Sequence, residues 1–302
     1  MYDIIGDIHG HAHELEILLQ KLGYQKQHGI YSHPLKRQVI FVGDFIDRGP
    51  QIRETLQLVR AMCEDGSALA VMGNHEYNAI CYHTPNAIRG GYFRDHSEKN
   101  TQQHRQTLEQ FKGYENEWTG YLEWFKTLLL FLDLEHIRVV HACWDEPHIE
   151  WLKLNYDGLS TEFLDHATDE LTHSDIYTIV EETLKGKEFD LPDGTFFQDK
   201  DGNQRNACRL KWWAHGNQRT IYNDIFLNCP DNFKNDSISS MESYHQYDEP
   251  KPVFFGHYWL QTNPIIENEN AICLDYSVAK GGILVACRVN FDNGVLEKQL
   301  IW

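Results

Sequence analysis

The chain is short of positive charge. Lysine and arginine number 27 against 45 aspartates and glutamates, a net charge of −18. A field of that sign repels phosphate backbones and argues against non-specific nucleic-acid binding. It also means that an anionic substrate needs local positive charge, from metal ions or placed arginines. Long apolar runs are missing too. Stretches such as Leu128–Leu132 are a few residues long and flanked by charge, far from the ~20 residues that span a bilayer. The first residues hold no basic segment and no signal-like apolar core, and run straight into a strand-like Tyr2–Ile5. Seven scattered cysteines (Cys63, Cys81, Cys143, Cys208, Cys229, Cys273, Cys287) include no Cys-x-x-Cys pair. Neither a zinc–thiolate site nor a disulfide framework is indicated, and a cytoplasmic location fits. Internal repeats and low-complexity tracts are absent. What is plentiful is hydrophobic residues at 41%, enough for a substantial core, and 17 histidines.

Residues 1–80 alternate between strand and helix patterns. Asp3–Ile5, Val39–Val42 and Ala68–Met72 read as strands, and continuous apolar runs of this kind suit a sheet covered on both faces. Between them, Glu14–Leu22 and Ile52–Cys63 carry apolar residues three and four apart, the spacing of helices. Such alternation predicts a parallel sheet. Residues 77–126 read as mostly helical, clearest at Gln102–Phe111 and Gly120–Thr127, and Ile137–His141 returns to strand. Residues 146–250 are polar and acidic. They hold turn signals at Pro192-Asp193-Gly194, Asp201-Gly202-Asn203 and Cys229-Pro230-Asp231. This stretch reads as a cap-like insertion with a helix near Ile176–Leu184, inside one domain of residues 1–302. Asp199–Asn203 looks like half of a calcium loop, but Leu210 stands at the twelfth position, which excludes an EF-hand. The end is β-rich, over Val253–Phe255, Ala271–Asp275 and Gly282–Asn290.

Five polar clusters each follow a strand-like run. They are Gly6–Gly10, Gly43–Gly49, Gly73–Glu76, His141 and Gly256-His257. Open α/β sheets gather ligands at the carboxyl ends of their strands. Asp7 and His9, two apart, point to one side of a strand end. A carboxylate with an imidazole suits Zn²⁺, Fe or Mn²⁺ better than Ca²⁺. Asp44 has two oxygens to share between cations, or it caps the helix that follows. Arg48 offers a planar fork for phosphate oxygens, or pairs with Asp47. Asn74 supplies a neutral oxygen, and His75 a ligand or a proton. A lone histidine after a strand is more often structural. The joint occurrence of five clusters reverses that for His141 and His257. By contrast, His11 and His13 are expected at a helix start or facing solvent, and Trp212-Trp213 as buried aromatics.

These motifs resemble the calcineurin-like metallophosphoesterases. Gly43–Gly49 and Gly73–Glu76 look like the phosphoprotein-phosphatase branch, which includes serine/threonine phosphatases and bacterial diadenosine tetraphosphatases. The resemblance runs from Gly6 to Leu274-Asp275 and Gly281-Gly282 and covers 146–250 only loosely. It implies an α/β fold, an α/β/β/α sandwich of two mixed sheets. It implies two divalent metal ions, manganese first and iron or zinc next. Asp7 and His9 would ligate one, Asn74, His141 and His257 the other, and Asp44 both. His75 would be the general acid, oriented by Asp47, and Arg48 would hold the phosphoryl group. Arg209 is the candidate for a second substrate cation, with Lys211 next. One departure stands out. His141 is followed by Ala142-Cys143 where the branch has Gly-Gly or Ala-Gly, so Cys143 bears on the substrate.

The activity implied is hydrolysis of phosphomonoesters, on a phosphopeptide or small metabolite, by a metal-bridged hydroxide. The alternative enzyme is a symmetrical diadenosine tetraphosphate hydrolase. An alternative of another class is a catalytically silent scaffold. No membrane and no nucleic-acid partner is expected, and the sequence does not report an oligomeric state.

Overall fold

The computed structural model describes residues 1–191, 196–198, 204–214, 221–227, 247–292 and 294–302. The turn signals at 192–194, 201–203 and 229–231, and the 199–203 segment, lie outside the described residues. The chain opens with β1 (Tyr2–Ile5), α1 (Ala12–Lys21), β2 (Gln25–Gln27), β3 (Ile30–Ser32), β4 (Gln38–Phe41), α2 (Ile52–Asp65) and β5 (Ala68–Ala70). Three helices follow, α3 (Asn74–His83), α4 (Glu98–Gln110) and α5 (Glu115–Phe125), then β6 (Phe131–Asp133) and β7 (Arg138–Val140). Helices α6 (Glu146–Asn155), α7 (Thr161–Ala167) and α8 (Ser174–Lys185) come next. A run of short pieces follows: β8 (Glu188–Asp190), β9 (Phe197–Gln198), β10 (Gln204–Arg205), β11 (Ala207–Leu210), α9 (Tyr222–Ile225) and β12 (Phe226–Leu227). The chain ends in β13 (Val253–Phe255), β14 (Ala271–Cys273), β15 (Ala286–Asp292) and β16 (Val295–Ile301).

Two mixed sheets form the centre, in the orders β16-β15-β1-β4-β5 and β14-β13-β7-β6. In the first, β1, β4 and β5 are parallel, and β15 is antiparallel to both β1 and β16. In the second, β13 is parallel to β7 and β14, and β6 runs against β7. The period-2 alternation of each strand assigns its side chains to two cores. Ile4, Ile40 and Val71 meet Val139, Phe254 and Ile272 between the sheets. Their chain neighbours Ile5, Phe41 and Phe255 belong to the larger core with Leu15, Leu19, Leu56 and Val59 of α1 and α2. Burial on both faces explains why these strands read as unbroken apolar runs. This is the expected sandwich.

The parallel strands β1, β4, β5, β7 and β13 all end near one edge, where the five clusters sit. Helix α3 begins inside the third cluster, at Asn74, so its polar first turn faces the site instead of solvent. The stretch read as a polar insertion contains more helix than expected. Asp145 and Ser160 cap α6 and α7 by accepting the N–H groups of His148 and Phe163. Ile149, Leu152, Leu164, Val180 and Leu184 of α6–α8 are buried in the larger core. No helix among the described residues is long and apolar enough to cross a membrane.

At the other end of β1, the buried Asp3 carboxylate receives Arg37 Nε at 2.9 Å, Arg288 Nε at 2.8 Å and Tyr24 Oη at 3.1 Å. Burial pushes this carboxyl up, but hydrogen bonds from Arg288 and Arg37 outweigh burial and hold it below the usual range. A lowered folded value means that this stability is fully present above the unfolded carboxylate range. It is lost as pH falls through the folded value. Asp3→Asn is expected to destabilise the protein by about 3–5 kcal/mol at neutral pH, with the deficit shrinking in acid. Urea unfolding at neutral and acidic pH measures this, and an equal deficit at both would contradict it.

Candidate metal centre

The loops that carry the clusters are strained where they carry function. His9, Asp44, Asp47, Arg48 and His257 all hold left-handed backbone, with φ of 46°, 53°, 66°, 65° and 73°. Each such residue costs on the order of 1–3 kcal/mol and persists only where its surroundings over-determine it. Two glycines make room for carboxylates. A β-carbon at Gly73 would lie 2.2 Å from Asp44 Oδ1, and one at Gly256 would lie 1.9 Å from Asp7 Oδ1. Glu76, one turn into α3, accepts the N–H groups of Asp44 (2.8 Å), Phe45 (2.8 Å) and Gly73 (3.0 Å). Its buried carboxylate thereby ties the ends of β4 and β5 together and fixes the backbone at Asp44.

Asp44 is the hub. Its Oδ2 lies 3.4 Å from His9 Nε2 and 4.0 Å from His75 Nε2, and its Oδ1 lies 3.5 Å from His141 Nε2. Two groups of donor atoms are compact enough to hold a metal ion, His9/Asp44/His75 and Asp44/His141/His257, and Asp44 is common to both. Asn74 Oδ1 lies 3.1 Å from His141 Nε2 and 2.8 Å from His257 Nδ1. Asp7 reaches the His257 side, where its Oδ2 accepts the His257 N–H at 3.0 Å, while His9 packs edge-on against His75. Backbone carbonyls set two of the rings. His9 Nδ1 meets Ile46 O at 2.9 Å and His141 Nδ1 meets Val42 O at 2.7 Å, so both Nε2 lone pairs face the centre.

The fit to cations shows in what is left over. Asp7 Oδ1, His9 Nε2 and His257 Nε2 are buried without a hydrogen-bond partner. An orphaned buried polar atom is costly; His9 Nε2 is one that faces Asp44, while His257 meets the site through Nδ1. Burial lowers His9 to about 3. Burial and the nearby Arg209 charge hold His257 well below the usual histidine range. Both rings are therefore neutral, as metal ligands must be. The acids behave differently. Burial raises Asp44, but the His141 and His75 rings outweigh it and hold the group well below the carboxylate range. Burial, then the Asp275 and Asp44 charges, push Asp7 well above that range. Burial and Asp44 raise Glu76 to about 7. Cations held by these residues would relieve this repulsion and satisfy the buried Asp7 and His9 atoms.

Beside the hub, His75 Nδ1 lies 2.5 Å from Asp47 Oδ2, and Arg48 Nη2 lies 3.5 Å from His75 Nε2. The Arg48 guanidinium stacks 4.2 Å over the Trp259 ring. All these groups border a cavity of about 1450 Å³, which Arg209 and Lys211 also line. Arg209 lies 3.7 Å from Glu188. Asp44, Asp47, Arg48, Asn74, His75, His257 and Arg209 line this cavity, while Asp7, His9 and His141 join the site through their contacts with His257 and Asp44. Cys143 does not. It is fully buried in the larger core, and its N–H, like that of Ala142, donates to Thr183 O. His11 stands at the start of α1 and His13 is exposed. Trp212 and Trp213 are buried, and Trp212 Nε1 donates to Ala142 O and Tyr258 Oη.

Sequence reasoning gave no role to Glu76, Asp275, Asn78, Arg94, His104, Thr107 or Trp259. Glu76 had a local signal, a glutamate three residues past the glycine that precedes a helix. Arg94 and His104 had none, because their partners are distant in sequence. Adding Mn²⁺ to metal-stripped protein is expected to raise Tm, by a linkage gain of about 2.7 kcal/mol at 100 times Kd. Differential scanning calorimetry reads it, and an unchanged Tm at saturating metal would contradict this reading of the orphaned atoms.

The family model for calcineurin-like phosphoesterases matches residues 2–258. Among curated relatives, bis(5'-nucleosyl)-tetraphosphatase PrpE [asymmetrical] of Oceanobacillus iheyensis is 35% identical over 140 residues, 46% of this chain and 54% of that protein. The protein of the same name from Halalkalibacterium halodurans is 49% identical over 74 residues, 24% of this chain and 30% of its own length. The chain thus spans about half or less of the length of these relatives. Among solved structures, a provisionally assigned diadenosine tetraphosphatase aligns over 100% of this chain and 93% of its own, at 16% identity and a TM-score of 0.47. The family match takes in every strand end from β1 to β13, and the chain belongs to the calcineurin-like phosphoesterases, metal-dependent phosphoric ester hydrolases.

Proposed function

We propose that the chain hydrolyses a phosphoanhydride in a dinucleoside polyphosphate. The observation that carries this is Arg94. Its guanidinium is held by Asn78 Oδ1 at 3.0 Å and Gln103 Oε1 at 2.9 Å, and it has no carboxylate in ion-pair range among the described residues. Glu181 and Asp47 balance it only at longer range. Asn78 stands three residues after His75, so Arg94 extends the cavity one helical turn beyond the proposed acid. A second fixed cation there suits a leaving group that is itself a phosphate. Arg48, Arg209 and Lys280 line the same cavity, inside a chain of net charge −18. The name of the curated relatives agrees with this class. The order of substrates is therefore the reverse of the one expected from motifs. Phosphomonoester hydrolysis is the second reading, favoured by the exposed position of Arg48 at the rim. The silent-scaffold alternative has no support, since no expected ligand is displaced.

In this reading Asp7, His9 and Asp44 hold one divalent cation, and Asp44, Asn74, His141 and His257 hold the other. Manganese is the first candidate, with iron or zinc next. When bound, such a pair supplies Lewis-acid polarisation of the phosphoryl oxygens and a water of lowered pKa. The chain's own groups do the rest. We assign His75 to proton donation, not metal binding. Its Nε2 is farther from Asp44 than that of His9, and Asp47 already engages its Nδ1. A proton at His75 Nε2 passes to the leaving oxygen, an effect typically worth about 10²–10⁴-fold. Arg48 takes equatorial phosphoryl oxygens, and the stack on Trp259 limits its rotamers. Arg94 and Arg209 take the more distant phosphates. We read residues 1–302 as one catalytic unit in which 146–250 is a cap that brings Arg209 to the cavity. No disulfide joins the described cysteines, and the cytoplasm is the compartment we propose.

Arg94→Gln tests the substrate class. The variant is expected to lose about 10–100-fold in kcat/KM on diadenosine tetraphosphate, the range for a charged hydrogen bond. The loss on p-nitrophenyl phosphate is expected to be several-fold smaller. Equal losses on both would favour the phosphomonoester reading. Chromatography of the nucleotide products then separates symmetrical from asymmetrical cleavage.

A further inference from the structure

Asp47 is held from two sides. Its Oδ2 faces His75, and its Oδ1 takes His104 Nδ1 at 2.8 Å and Thr107 Oγ1 at 2.6 Å. The Asp47 N–H in turn donates to Thr107 Oγ1 at 3.1 Å. Behind Asp47 the chain of contacts continues. His104 Nε2 lies 3.2 Å from His83 Nε2, and Trp118 Nε1 lies 3.1 Å from that same His83 nitrogen. Asp47, His104, Thr107 and Trp118 are buried, and His83 is half-buried, so solvent offers little alternative bonding. Nothing local in the sequence marks this arrangement. It assembles the loop after β4 with helices α3, α4 and α5.

The protons in the chain can be counted. An indole N–H only donates, so His83 Nε2 is the acceptor from Trp118. That N–H takes the single lone pair of His83 Nε2. The carboxylate oxygen at the other end of His104 only accepts, so His104 Nδ1 is the donor to Asp47. The groups around the ring agree with this. Asp47 faces it from the β4 loop, His83 and Tyr82 from α3, and Trp118 from α5. The one carboxylate among them is in direct contact. Burial, then the charges of His104 and His96, lower His83 to about 4, which keeps it a neutral acceptor.

We infer that His104 is a positioning residue for the general acid. It grips Asp47 from behind and so aims the His75 ring through the chain Trp118–His83–His104–Asp47–His75. Two consequences follow. The Asp47 carboxylate is fixed by a charge-assisted bond as well as by the Thr107 hydroxyl. The proton donor is thereby pre-aimed before substrate arrives, which is what orientation contributes to rate. This inference rests on the assignment of His75 as the acid, and the test separates the two.

Nitrogen-15 NMR of the histidine rings in the unmodified, metal-loaded protein at neutral pH comes first, with His104 assigned by comparison with His104→Asn. His104 Nδ1 is expected in the protonated range, as donor to Asp47, and an unprotonated Nδ1 would overturn the inference. Kinetics come second, on aryl phosphates of rising leaving-group pKa. A well-aimed acid matters most when the leaving group is poor. His104→Ala is expected to lose ~3-fold in kcat on p-nitrophenyl phosphate and ~30-fold on phenyl phosphate, a fraction of the full general-acid effect, with KM little changed. His104→Asn, which keeps a donor toward Asp47, is expected to recover part of the loss. A uniform loss across the series marks a merely structural role and overturns the inference. His75→Asn runs alongside. If it too shows no leaving-group dependence, the assignment of the acid falls and takes this inference with it. If it does and His104→Ala does not, only the inference falls.

Discussion

Four carboxylates share one buried patch, and the rest of the site follows from their repulsion. Asp7, Asp44, Glu76 and Asp275 are each at most 2% exposed. Burial and the neighbouring charges raise Asp7, Glu76 and Asp275, while histidines hold Asp44 ionised. Such a cluster is expensive unless positive charge is added or protons are taken up. The neutral imidazoles of His9 and His257 are the wrong partners for protons and the right ones for metal ions. The patch is therefore a place where folding and cation binding are the same problem. Backbone strain at His9, Asp44 and His257 belongs to that problem, because it turns ligands inward at a point where a regular strand would alternate them.

The fold solves the geometry with little apparatus. Two mixed sheets share one apolar core, and their parallel strands end at one edge. Glu76 then acts as a clamp. By accepting N–H groups from both the β4 and β5 ends, it sets the direction of Asp44 without contributing a ligand. The cationic residues of the cavity come from elsewhere, from the β4 loop, from the segment after α3 and from β11. They line the cavity of a strongly acidic chain. The metal patch and the arginines are complementary. In the proposed function the first would handle the phosphoryl group under attack, and the second would handle charge that the leaving side carries away.

Much of this was legible in the sequence, for reasons that can be named. The β1-α1-β4-α2-β5 unit shows because strands covered on both faces are continuous apolar runs and the helices between them keep a three-and-four spacing. The proposed ligands show because each sits immediately after such a run. Other features leave no such trace. Helices α6 and α7 are short and half-exposed, so their few apolar residues do not make a convincing stripe. The start of α3 is hidden by its own function, because its first turn spends polar residues on the site. His104 meets Asp47 across 57 residues and Arg94 meets Asn78 across 16, and no local pattern announces either. Cys143 drew attention as a departure from a motif, yet its side chain packs in the core and away from the cavity.

The central claim is that one carboxylate, Asp44, serves two cations. Metal content settles it. Inductively coupled plasma mass spectrometry on protein equilibrated with Mn²⁺ is expected to find two ions per chain for the native sequence. With Asp44→Asn, tight binding of both is expected to fall together, since the shared ligand is common to the two groups. A variant that kept one ion at native affinity would contradict the shared-ligand account.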